Sequence, residues 1–218
     1  MRLAIFDLDN TLIAGDSDHS WGEFLVQKNL VDATAYAEAN DRFYQQYKAA
    51  TLNIQEYLNF SLAPLTRYTL DELAAFHQEF IRDNIEPMML PKAKALLQQH
   101  RDQGDYLLII TATNSFVTHP IAKYLGVDDI LASDAEILNG RYTGKGRGTP
   151  CFQGGKVIRL QEWLKEKNYN LEDAYFYSDS INDLPLLEQV PNPVAVDADE
   201  RLSKIAVERG WKIMSLRD

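Results

Sequence analysis

Short apolar runs that end in polar residues alternate here with helical patterns, and this alternation predicts a doubly wound α/β domain built on a parallel sheet. Residues from about Asp16 to Ile85 break the alternation and read as helical throughout, so an all-helical insert is expected within that core.

Leu3–Phe6 is apolar without alternation, which suits a strand buried on both faces. Three later runs look the same: 106–110 before Thr111, 174–177 before Ser178 and Asp179, and 194–196 before Asp197. Helical spacing joins Ala93, Leu96 and Leu97 before Gly104, then Val157, Leu160 and Trp163. It returns in Leu184, Leu186 and Leu187, and in Leu202, Ile205 and Ala206 before Gly210. Within the insert, Thr69 and Glu72 have capping-box spacing, followed by a stripe of Leu73, Phe76 and Phe80. Pro87 and Pro91 mark the return to the core, and Asn139-Gly140 reads as a hairpin turn. The expected division is therefore 1–15 and 86–218 as the core, with 16–85 as the insert.

Composition narrows the function classes. The 218 residues are 45% hydrophobic and 25% charged, enough for one sizeable core with a smaller inserted module. A net charge of −10 and a pI near 4.9 repel nucleic acid and anionic membranes, so neither is expected as a partner. With no apolar run of membrane-spanning length and too short an apolar start for a signal peptide, a cytoplasmic monomer or homodimer is expected. Cys151, the only cysteine, excludes an internal disulfide and reads as an unremarkable loop thiol.

Ligands of doubly wound folds bind beyond the carboxyl ends of the strands, so the residues closing the strands converge. Asp7 and Asp9 stand two apart and can face one crevice; Asp179 and Asp183 close a second strand, where capping a helix is their plainer reading. If the two segments meet, each pair of like charges ~4 Å apart costs about 4 kcal/mol at an effective dielectric near 20. Such a cluster demands a cation, and oxygen donors shared with phosphate and water favour Mg²⁺. Thr111 ends a strand with a hydroxyl, and Lys156 follows Gly154-Gly155 at a helix start; together they suit a cradle for phosphoryl oxygens.

Asp7-Leu8-Asp9-Asn10-Thr11, then Thr111, then Lys156, then Asp179 through Asp183 resemble, in order, the four motifs of the haloacid dehalogenase superfamily. A helical insert directly after the first motif is similar to the C1-type cap of its phosphoserine-phosphatase-like branch. Residues 14–21, 111–114, 140–144 and 148–151 resemble the bacterial histidinol-phosphatases of the superfamily. The resemblance implies a Mg²⁺-dependent hydrolase of a small phosphorylated metabolite, histidinol phosphate first and phosphoserine as the alternative. It implies Asp7 as nucleophile and Asp9 as acid and base, with the Asp9 backbone carbonyl, Asp7 and Asp179 on the metal. Thr111 and Lys156 would hold the phosphoryl group, while Asn182 and Asp183 would orient metal-bound waters and Lys156. Asp16, Asp18 and Asn114 are the expected substrate contacts. Asn59 falls where phosphoserine phosphatases carry a carboxylate-binding Arg, with Arg42 or Lys48 as alternatives from another helix.

Other signals are set aside. Asp16, Asp18 and His19 read as a solvated hinge rather than a metal cluster; Trp21, Phe24, Phe43, Tyr44, Tyr47 and Tyr57 read as the insert's own core. Residues 144–148 read as a flexible flap, and His77, His100 and His119 have no evident partners. A receiver-type phosphoacceptor module is disfavoured because Asp7 and Asp9 share one strand and a large insert follows. A phosphotransferase or phosphomutase using the same intermediate stays open.

Overall fold

A computed structural model describes residues 1–217. Seven strands form one sheet: β1 (Leu3–Phe6), β2 (Tyr106–Asn114), β3 (Asp129–Leu138), β4 (Arg141–Arg147), β5 (Tyr175–Ser178), β6 (Asn192–Val196) and β7 (Lys212–Met214). Their order is β4-β3-β2-β1-β5-β6-β7, parallel throughout except for β4, which pairs antiparallel with β3. β1 is central because it is apolar on both faces. Ala4 and Phe6 enter one core cluster and Leu3 and Ile5 the other.

On the first face lie α5 (Pro91–Asp102) and α6 (Ser115–Leu125), which bury Ala93, Leu97, Val117 and Ile121. On the second lie α7 (Gly154–Lys167), the short α8 (Leu184–Leu187) and α9 (Glu200–Arg209), which bury Leu160, Trp163, Leu187 and Leu202. Among the described residues no helix is long and apolar enough to cross a membrane.

Between β1 and α5 the chain is helical: α1 (Ser17–Gln27), α2 (Ala33–Ala49), α3 (Ile54–Leu62) and α4 (Leu70–Phe80), with a 3-10 turn before α4 and a π turn after it. Each starts on a side-chain cap, from Asp16, Asp32, Asn53 and Thr69, and the Thr69–Glu72 capping box forms as expected.

Several expectations need correction. Trp21 and Phe24 are not private to the insert: Trp21 packs edge-on against Phe80 and Phe116 within the sheet-face cluster, so α1 and α4 are rooted in the core. Phe43 and Tyr57, with Tyr36 and Phe60, form a separate aromatic group instead. Residues 144–148 are no flap, since residues 141–147 form β4 against α3 and the 3-10 turn. Gly144 has φ +79°, and a Cβ on Gly146 would stand 3.1 Å from Leu58 Cδ1, so small residues let the insert lie directly on the strand. His77 Nε2 lies 3.0 Å from Val117 O, and His100 bridges Asp105 and Tyr177 at 2.7 and 2.8 Å; both are buried and partnered. Cys151 is fully buried, and burial pushes its thiol up to about 12, which leaves it unreactive.

Candidate active site

Asp7 follows β1 directly, its backbone N–H bonded to Tyr177 O at 2.9 Å, so the β1 and β5 ends are tied side by side. Lys156, in the first turn of α7, reaches back across this edge. Its Nζ lies 2.8 Å from Asp7 Oδ1 and 2.7 Å from Asp183 Oδ1, with all three side chains buried. Asp183 also accepts from Ser178 Oγ at 2.7 Å, and makes no cap bond to the helix it precedes. The carboxylate that sequence alone reads as an N-cap instead fixes Lys156. Burial disfavours the Lys156 charge, but Asp183 and Asp7 outweigh it and hold the ammonium above the ordinary lysine range.

Thr11 links Asp7 to the second acidic loop. Its Oγ1 lies 3.3 Å from Asp7 Oδ2 and 3.2 Å from Asp179 Oδ1, and accepts from Asp179 N–H at 3.1 Å. One hydroxyl proton cannot serve two carboxylates, so one oxygen at this corner lacks a donor. Burial, against the pull of Lys156, lifts the Asp7 carboxyl to about 7; burial and the charges of Asp7 and Asp183 lift Asp179 well above the carboxylate range. Among the described residues no three His, Cys, Asp or Glu side chains form a ready metal site. Two hard carboxylates short of positive charge, completed by a backbone carbonyl, nevertheless fit a hard divalent cation.

Asp9 points elsewhere. Ser17 N–H donates to its Oδ1 at 2.7 Å and Thr113 Oγ1 to its Oδ2 at 2.8 Å, while Thr111 Oγ1 stands 3.5 Å away. Burial, with the charge of Asp16, raises its carboxyl to about 6. Thr111 lies within β2 rather than at its end, and Thr113 is the closer partner that sequence reasoning passed over. Residues two apart on a strand share a face, so Thr113 was readable from its spacing to Thr111.

Asp16 and Asp18 are not a solvated hinge. Asp16 Oδ1 caps α1 by accepting from the Asp18 and His19 N–H groups at 3.0 and 2.8 Å. Asp18 is buried and receives Asn114 Nδ2 at 3.1 Å. Burial, then the charge of Asp16, holds it well above the carboxylate range. Asn114 lies behind this wall, capping α6 through Val117 N–H, and does not face the cavity. Asn182 is equally committed: it accepts from Gln153 Nε2 at 3.1 Å and donates to Tyr47 O at 3.0 Å.

Above Asp7 and Asp9 is a partly open cavity of about 30 Å³. Asp16, Asp18, His19, Tyr44, Tyr47 and Tyr57 are among the residues lining it, together with Thr111 and Thr113, and among the described residues no lysine or arginine does. Asn59 is exposed on α3 and accepts from Gln55; Ile54 and Tyr57 are the α3 residues that face inward. Arg42 lies over Phe43, and Lys48 over Tyr44, outside the cavity wall.

Here a buried aspartate and lysine, a paired acid at a second strand end and a helical insert over both come together in a chain that belongs to the haloacid dehalogenase-like hydrolases. The family model matches residues 4–188, and the chain is a phosphatase of this group. A histidinol-phosphatase of Neisseria meningitidis serogroup C is 46% identical over 220 residues, spanning 99% of each chain. A phosphoserine phosphatase of Mycobacterium tuberculosis is 31% identical across 98% of this chain and 70% of its own length. A solved protein of unknown function from Bordetella pertussis Tohama I is 42% identical at TM-score 0.93, covering 99% of this chain and 98% of its own. A substrate-bound phosphoserine phosphatase shares the fold at TM-score 0.71 and 16% identity, over 99% and 93% of the two chains.

Proposed function

We propose that the chain is a Mg²⁺-dependent phosphomonoesterase that works through an aspartyl-phosphate on Asp7, with histidinol phosphate as substrate. The observation that carries the substrate is the cavity wall: carboxylates and aromatic rings, with no lysine or arginine among the described residues. An ammonium suits Asp16 and Asp18, and an imidazole suits Tyr44 and Tyr57. The 46% identity to a histidinol-phosphatase over 99% of both chains supports the same reading. Segment 16–85 acts as the cap, and 1–15 with 86–218 as the catalytic core.

Asp7 and Asp179 side chains and the Asp9 carbonyl would hold the magnesium ion, which supplies Lewis-acid charge against the phosphoryl oxygens. An Asp7 carboxylate oxygen attacks phosphorus, and the departing alkoxide takes a proton from Asp9. Asp9 then accepts a proton from the water that hydrolyses the acyl phosphate, returning both carboxyls to their starting states. Lys156, 2.8 Å from Asp7 Oδ1, and the Thr111 hydroxyl bind the phosphoryl oxygens as charge shifts during transfer. Asp183 keeps Lys156 oriented through this cycle.

Phosphoserine carries a carboxylate that would meet Asp16 and Asp18 with no cation beside them. Losing a charge-assisted clamp costs a few kcal/mol, or roughly a hundredfold in relative kcat/KM. Steady-state kinetics on both compounds tests this. Histidinol phosphate is expected to lead by about that factor, and phosphoserine turned over equally well would remove the substrate assignment while leaving the aspartyl-phosphate reading intact.

A further inference from the structure

We propose that Arg201, on α9, is a positioning residue that clasps the end of α2 and holds the insert closed over Asp7 and Asp9. The last carbonyls of a helix lack intrahelical partners and form its negative end. At the end of α2 they meet side chains of the core at a solvent-exposed edge. Arg201 donates to Lys48 O at 2.6 Å and to Ala49 O at 3.4 Å, and Asn182 donates to Tyr47 O at 3.0 Å. Three successive carbonyls are thus held by two side chains of the core. The same turn of α2 carries Tyr44 and Tyr47, which wall the cavity.

The clasp is anchored to the acidic loop. Asp199 caps α9 by accepting from Arg201 N–H at 2.8 Å, and its other oxygen accepts from Ile181 N–H at 2.6 Å. Its own N–H donates to Asp179 O at 2.8 Å. A short chain of bonds therefore runs from α2 through Arg201 and Asp199 to the backbone on either side of Ser180. Closure matters because a cavity of about 30 Å³ admits a water or two and no metabolite, so the insert must lift and reseat in each turnover. Arg201 also lies beyond residues 4–188, the span matched by the family model.

Arg201→Ala removes two bonds from a half-exposed cation, and the closed-to-open ratio is expected to fall roughly tenfold. The test uses the full chain in Mg²⁺ buffer, with spin labels on cysteines introduced at Arg42 and Val207, both exposed; the native Cys151 is buried and escapes labelling. Pulsed electron resonance should give one distance in the parent and an added longer population in Arg201→Ala. Arg201→Lys, which keeps the charge, should be intermediate. Arg209→Ala, on the same helix but paired with Glu188, should match the parent.

Turnover is read with p-nitrophenyl phosphate, which does not depend on the histidinol phosphate assignment. Without the labels, kcat should fall several-fold in Arg201→Ala with KM and Tm nearly unchanged, because a smaller fraction of bound enzyme is closed. An unaltered distance distribution overturns the proposal. So does an open population with undiminished kcat, or a Tm loss large enough to account for the lost activity.

Discussion

Lys156→Met tests the electrostatic centre of the site. The Lys156 ammonium is buried between Asp7 Oδ1 at 2.8 Å and Asp183 Oδ1 at 2.7 Å, and methionine keeps its length while removing its charge. Removing one member of a buried ion pair costs about 3–5 kcal/mol, because the partner is left charged and undersolvated. For a domain of this size each kcal/mol moves Tm by about 2–4 °C, so a loss of roughly 6–20 °C is expected. Thermal melts followed by circular dichroism at pH 7 in EDTA measure it free of metal compensation. The double variant Lys156→Met with Asp183→Asn should recover much of the loss, since the stranded carboxylate goes too and an amide can still accept from Ser178. Both variants should lose at least about a hundredfold in kcat, because in the proposed mechanism the phosphoryl group loses a charged donor. A single variant melting within about 2 °C of the parent, or a double variant no more stable than the single, would refute an ionised triad.

Asp7→Asn removes the proposed nucleophile while keeping its shape, so kcat should fall by at least roughly a thousandfold with Tm maintained or raised; a tenth of parental activity would exclude Asp7 as nucleophile. EDTA should abolish turnover and Mg²⁺ restore it, while Ca²⁺ inhibits because its looser coordination lets Asp7 bind through both oxygens; full activity in chelated buffer would break the link between Asp7 and Asp179. Asp105→Asn addresses stability away from the site. Burial would raise the Asp105 carboxyl, but hydrogen bonds from Arg2 and His100 overcome it and hold it below the ordinary aspartate value. A depressed folded value contributes stability above the unfolded value and loses it as pH falls through the folded one. Urea melts should therefore show the variant weaker at pH 7, with the gap to the parent narrowing as pH drops below about 4.

What the sequence made legible, and what it hid, follows from the range of the interactions involved. β1, β5 and β6 were readable because strands buried on both faces are apolar without a break, and the polar residue ending each run marks the sheet edge. The Asp7, Lys156 and Asp183 group was readable because the order of motifs along the chain stands in for contacts across 149 and 27 residues. The hairpin turning at Asn139-Gly140 was legible from its turn residues, but 144–148 was misread as a flap since its glycines have no local signature of a strand. What makes it part of one is the close approach of Leu58 and Thr66 from a distant helix and turn. Asn59 failed differently. Two helical positions turn the side chain by about 200°, so a helix that aims Tyr57 at the cavity must send Asn59 outward.

The cavity chemistry survives that error for a reason independent of alignment. With Asn59 outward, α3 presents Ile54 and Tyr57; α2 presents Phe43, Tyr44 and Tyr47; and α1 presents Asp18 and His19. The basic residues of the same helices, Arg42 and Lys48, are drawn to neighbouring rings on the outer side. The arginine that does meet the insert, Arg201, binds carbonyls at the end of α2 and leaves its charge outside the cavity wall. The lysines and arginines of these elements thus hold the insert in place while acidic side chains line the cavity, an arrangement that supports the proposed preference for a cationic substrate over one bearing a carboxylate.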